Sequence, residues 1–159
     1  MPFTISPYIN SVQSPAPRSF PLVPKWWKTL SQFSFTVTGV DRSISYSIQA
    51  STGTAEWDMG DGNTITSNSP SHTYTDGLAE HTVTLVGGVL ESDVTQALLQ
   101  GNSEITEVKD LIVFPSLSFL YLNSTSITVC PDITQNTALK RLYLNGSDIT
   151  VAPDITQNT

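Results

Sequence analysis

At 159 residues the chain can hold one ordinary domain or two small ones, and only 13% of it is charged, with a formal net charge of −7. That balance argues against nucleic acid phosphate as a partner. The lone Cys130 rules out an intrachain disulfide framework, and no run approaches the roughly 18 apolar residues of a membrane span. Residues 1–30 carry six prolines among Phe3, Ile5, Tyr8, Phe20, Trp26 and Trp27. Proline at that density blocks helix and central strand alike, so an extended arm is expected. Ordinary linkers are poor in aromatics. The arm therefore either docks on a partner, with Phe3, Tyr8, Phe20, Trp26 and Trp27 as its contacts, or folds back on its own domain. Its start, Met1-Pro2-Phe3-Thr4-Ile5-Ser6-Pro7, offers neither the basic residues nor the apolar run of a secretory signal, so synthesis in the cytoplasm with no obvious route through the secretory pathway is expected.

Two alternating runs follow, Phe33-Ser34-Phe35-Thr36-Val37 and Ile44-Ser45-Tyr46-Ser47-Ile48, joined by Gly39–Ser43 and predicting a hairpin. Short strands are predicted at 54–59, 63–67, 71–75 and 80–86. Trp57 ends an extended run as a core anchor. Asp61-Gly62-Asn63 makes a tight turn, with Gly62 free to take positive φ and Asp61 able to bond its own downstream amides. His72 and Tyr74 alternate along the next strand, and Val83 and Leu85 place apolar groups on one face. The order Trp57-Asp58-Met59-Gly60-Asp61-Gly62, then His72-Thr73-Tyr74, then His81-Thr82-Val83-Thr84-Leu85 resembles the polycystic-kidney-disease (PKD) type of immunoglobulin-like domain. That signature reads W-D-F-G-D-G, H-T-Y and G-x-Y-x-V-T-L; Met59 stands in place of its Phe, and Leu78–His81 in place of its Gly-x-Tyr. The resemblance implies a β-sandwich over about residues 31–88, with the His72 ring packed beside Trp57.

Residues 89–116 read as a linker and a degenerate capping repeat. Leu117–Thr137 then aligns with Leu139–Thr159 at a period of about 22 residues, identical at 15 of 21 positions. A weaker copy one period earlier places Leu98, Ser103, Ile105, Leu111 and Phe114 in register, with Gln100 at a core position. The pattern Leu117, Leu120, Leu122, Ile127, repeated as Leu139, Leu142, Leu144, Ile149, resembles the leucine-rich repeat. Thr125 and Ser147 stand where that family has a buried Asn, so a hydroxyl ladder is expected to serve the turn amides. The expected fold class is mainly β: a PKD-type sandwich over 31–88 followed by a short leucine-rich-repeat solenoid over 117–159, which either continues or stacks on a partner. Cys130 is expected to pack as a small apolar residue, since its repeat counterpart is Ala152.

No catalytic residue, no cofactor and no enzyme activity are expected. A lone cysteine and two dispersed histidines exclude a zinc site, and no phosphate loop or nucleophile elbow is present. Asp58, Asp61 and Asp76 either meet at one end of the sandwich to bind calcium through oxygens or shape local turns. The sequons at Asn123 and Asn145 occupy equivalent repeat positions and read as repeat chemistry. Alternation along the repeat strands sends Leu120, Leu122, Leu142 and Leu144 inward. Phe119, Tyr121 and Asn123 then form one outward row and Arg141, Tyr143 and Asn145 the next, a concave face suited to sugar or peptide contact. Both families serve display and adhesion. The expectation is a virion protein of a phage, a capsid decoration, head-fibre or tail-associated component, whose arm holds other virion proteins and whose repeats meet a host-surface glycan or protein. The alternatives are an adhesin resembling those of Bacteroidetes-type bacteria, at the cell surface or extracellular, or an accessory binding module of an enzyme. A homo-oligomer remains open; nucleic acid and membrane insertion are not expected.

Overall fold

The computed structural model describes residues 32–158. The expected arm, with Phe3, Tyr8, Phe20, Trp26 and Trp27, lies outside the described residues. The strands are β1 (Ser34–Thr38), β2 (Ser43–Ser45), β3 (Ser47–Ala50), β4 (Glu56–Asp58), β5 (Thr64–Thr66) and β6 (Ser71–Thr73). After them come β7 (Glu80–Gly87), β8 (Val94–Leu98), β9 (Ile105–Lys109), β10 (Phe119–Tyr121) and β11 (Arg141–Tyr143). Among the described residues helix is confined to the single 3₁₀ turns Glu91–Asp93 and Leu111–Val113, and none is long and apolar enough to cross a membrane.

Two layers enclose one core. The first is a five-stranded sheet in the order β5-β4-β7-β1-β9, and the second a four-stranded sheet in the order β11-β10-β8-β3. A short β2–β6 pair flanks the second layer, continued by bonds from Tyr46 N to Pro70 O and from Ile48 N to Asn68 O. Alternation explains the layering, because Ile44, Tyr46 and Ile48 point inward on one side while Phe33, Phe35 and Val37 point inward on the other, all at most 4% exposed. Trp57 is fully buried between them. Its ring meets Tyr46 edge-on at 4.8 Å and Phe33 at 6.2 Å, and its Nε1 donates to Ser67 O at 2.9 Å.

The first two predicted runs do not form a hairpin. Both edges of β1 are taken, by β7 and β9, while β2 pairs with β6 and β3 with β8. The chain over 39–43 crosses between layers, with Asp41 in the left-handed region at φ 52°, so that Phe35 meets Tyr46 across the core at 4.8 Å. The hairpin β4–β5 does form around Asp61-Gly62. Gly60, at φ 81°, must be glycine, since a Cβ there would lie 2.6 Å from Thr82 O.

Residues 89–116, expected as linker and cap, supply a strand to each layer: β8, inside the second, pairs antiparallel with β3, and β9, at the edge of the first, antiparallel with β1. From β8 the second layer continues in parallel through β10 and β11. On the opposite side, Ser126 N donates to Ile105 O and Thr150 N to Thr128 O, so the first layer is prolonged bond by bond. Each 22-residue turn of chain thus adds one rung to both layers. The core runs without a break from Phe33 and Trp57 through Phe114 to Leu120, Leu122 and Ile133.

The register of the first copy departs from expectation by one residue. Leu120 pairs with Ala97, not Leu98. Ala97 and Leu99 are the buried residues, while Gln100 is exposed. Ile105, Leu111 and Phe114 keep the expected phase and are buried, so the extra residue sits between Asn102 and Ile105. Asn102, not Ser103, therefore stands level with Thr125. Its Nδ2 donates to Leu99 O at 2.8 Å and to Ser45 O at 2.9 Å, while its Oδ1 accepts from Ser45 N at 3.0 Å. In the later copies Thr125 Oγ1 donates to Leu122 O at 2.7 Å and Ser147 Oγ to Leu144 O at 2.6 Å. The hydroxyl ladder thus serves carbonyls and not the amides expected.

Candidate binding face

The outward side of the second layer carries two rows set by register. One runs Ser47, Leu98, Tyr121, Tyr143, and the other Gln49, Gln96, Phe119, Arg141. Parallel strands in register hold identical side chains in stacks. The Tyr121 and Tyr143 rings are parallel within 10° at 4.5 Å between centroids, and the Arg141 guanidinium lies 5.6 Å from the centre of the Phe119 ring. Each tyrosine ring thus spends one face on its neighbour, and the phenol edges are what the stack offers outward. Asn123 and Asn145 extend the tyrosine columns. Their backbone carbonyls accept from Gly101 N and Ser124 N, and Asn123 is half-buried and Asn145 exposed. The structure therefore brings Phe119, Tyr121, Asn123, Arg141, Tyr143 and Asn145 to one face. It adds Gln49, Gln96 and Leu98, which sequence reading missed because it set β8 one residue out of phase and treated it as linker.

The calcium candidates do not converge. Asp58 Oδ1 accepts from Gly60 N at 2.9 Å. Asp61 accepts from Asn63 N at 3.0 Å and from His72 Nε2 at 2.7 Å. Asp76 accepts from Leu78 N at 3.0 Å and from His81 Nε2 at 2.9 Å. Among the described residues no group of three or more His, Cys, Asp or Glu could hold a metal ion. Burial pushes the Asp61 carboxyl up, but the hydrogen bonds from His72 and Asn63 outweigh it and its pKa falls to about 2. The hydrogen bond from His81 likewise draws Asp76 below the usual carboxylate range.

His72 does not rest on Trp57 as expected. It meets Tyr74 edge-on at 4.7 Å, and His81, at the place of the family's tyrosine, stacks on the other side of Tyr74 at 3.9 Å. Tyr74 donates to Met59 O at 2.9 Å, and burial drives its phenol far above the ordinary range. The result is a column of rings tied at each end to a carboxylate, which closes this end of the sandwich. Cys130 is half-buried beside Pro131 and Val151, and burial raises its thiol to about 11, away from the thiolate form that reacts.

Comparison with known proteins supports part of this architecture. No curated protein and no solved structure matches the chain. Residues 32–88, the span that contains β1 to β7, match the family model for the PKD domain, so this stretch is similar to PKD-type immunoglobulin-like domains.

Proposed function

We propose that the protein is a non-enzymatic structural and binding protein of a phage virion, a capsid decoration, head-fibre or tail-associated component. In this reading the PKD-type sandwich is the base, leucine-rich repeats grow from it as a coil, and residues 1–30 attach it to other virion proteins. The repeat reading is supported by short parallel strands with inward Leu120, Leu122 and Leu142. It is supported too by the column Asn102, Thr125, Ser147, each bonding the carbonyl three residues back. The observation that carries the binding role is the unbroken sheet from β3 to β11, which fixes the outward aromatic and amide rows rigidly to the base.

Mass spectrometry of purified particles from the source, with full-length protein and a variant lacking residues 1–30, tests this. Full-length protein in the particle and loss of the truncated form are expected. The match to the PKD domain also favours a second reading, a surface adhesin of a Bacteroidetes-type bacterium. Absence from particles together with recovery in the cell envelope would establish that reading in place of the first.

A further inference from the structure

We infer that the outward face of the β3-β8-β10-β11 sheet takes an acidic saccharide, one bearing uronate, sialate or sulfate, with Arg141 as the residue that selects the negative charge. The inference rests on the reading of this face as a binding surface. The chain has 14 acidic residues, and none lies on β3, β8, β10 or β11. In a protein of net charge −7, an anion on this sheet meets no carboxylate from the strands themselves. Among the described residues Arg42 pairs with Glu104 and Lys109 with Glu107, whereas Arg141 and its neighbour Lys140 make no ion pair. Arg141 is exposed and laid against Phe119. That contact restrains a planar fork able to bind a carboxylate or sulfate with two parallel hydrogen bonds.

The rest of the face suits a sugar in chemistry and shape. Gln49, Gln96 and Asn145 each offer donor and acceptor together, the pairing that sugar hydroxyls need. The Tyr121 and Tyr143 rings each cover one face of the other, so the stack offers a flat aromatic column edged by phenol hydroxyls and not a hydrophobic pocket for an anchoring side chain.

The full-length protein is titrated by calorimetry against oligosaccharides bearing uronate, sialate or sulfate, each beside its uncharged counterpart, and against hexaglutamate. At least one charged saccharide is expected to bind tenfold or more tightly than its uncharged counterpart. Arg141→Gln should remove that preference and Arg141→Lys restore part of it. Tyr121→Phe with Tyr143→Phe, which keeps the stack and removes the hydroxyls, should weaken the charged saccharide severalfold at unchanged melting temperature. No discrimination by any saccharide, an unaffected Arg141→Gln, or equal affinity for hexaglutamate overturns the inference. Those failures, with particle or surface attachment intact, leave the proposed function standing; loss of attachment by the full-length protein defeats that function itself.

Discussion

A fragment limited to residues 32–88, the span that matches the PKD family, is expected not to fold. Cutting there strips β9 from the edge of β1 and β8 from the edge of β3. It also removes the buried side chains of Val94, Leu99, Ile105, Val108, Leu111 and Phe114. Phe33 loses the Phe114 ring that packs on it at 4.9 Å. Burial of each such side chain is worth about 1.5–3 kcal/mol, so the combined loss is on the order of 10 kcal/mol. That is comparable with the whole stability of a typical domain, about 5–15 kcal/mol. Urea denaturation followed by far-UV circular dichroism, with amide NMR dispersion as the measure of packing, checks this. The fragment should show no cooperative transition, and one extended to residue 137 should recover it. A 32–88 fragment that melts cooperatively within a few degrees of the full chain would refute the shared core.

Trp57→Ala should cost about 3–5 kcal/mol in urea denaturation, the range for deleting a buried large aromatic. Because the core is continuous, the loss should appear in one transition for sandwich and repeats alike. Asn136 is fully buried, and its Nδ2 donates to Leu111 O at 2.9 Å and Phe114 O at 3.0 Å. Asn136→Ala removes one of two bonds from each carbonyl, since Leu111 O also accepts from Phe114 N and Phe114 O from Leu117 N, and should cost about 1–3 kcal/mol. Asn158→Ala, which removes one bond from a half-exposed position, should cost about 1 kcal/mol or less by the same measurement. Asp61, held down to about 2, contributes stability that is full above the unfolded carboxylate value of about 3.9 and is lost as pH falls through its folded value. Asp61→Asn should therefore flatten the decline in stability between pH 4 and pH 2, measured by urea midpoints across that range.

Local signals were legible where one strand or turn carried its own pattern. Trp57 as anchor, the Asp61-Gly62 turn and the β7 alternation of His81, Val83 and Leu85 all follow from spacing of two and from turn chemistry. The outward rows on β10 and β11 were legible because two near-identical copies fix each other's phase. Pairing partners were not. Phe33–Val37 and Ile44–Ile48 each alternate correctly, yet nothing in alternation says that they face across a core instead of lying side by side. The first repeat was misread for a related reason. An ungapped period aligns Leu98 with Leu120, and only a one-residue insertion before Ile105 brings the buried Asn102 level with Thr125. A search for the buried Asn that tolerated such a gap would have found it.

On the proposed repeat reading, that insertion also explains how the sandwich passes into a coil. A solenoid of stacked repeats ends in an apolar face that needs a cap, and here the two layers of the sandwich already match the two sides of the coil. β8 must serve both: antiparallel to β3 on one edge and parallel to β10 on the other. Just before β3, the backbone N–H and C=O of Ser45, the last residue of β2, turn toward the first copy, and a side chain with both donor and acceptor is needed to close them. Asn102 does so, bonding Ser45 N and Ser45 O while also taking Leu99 O. A hydroxyl at that position has the reach for Leu99 O alone, as Thr125 and Ser147 have for Leu122 O and Leu144 O. The asparagine of the first copy and the hydroxyls of the later ones are thus one position under two demands: the first copy is bolted to a sandwich, and the others only to themselves.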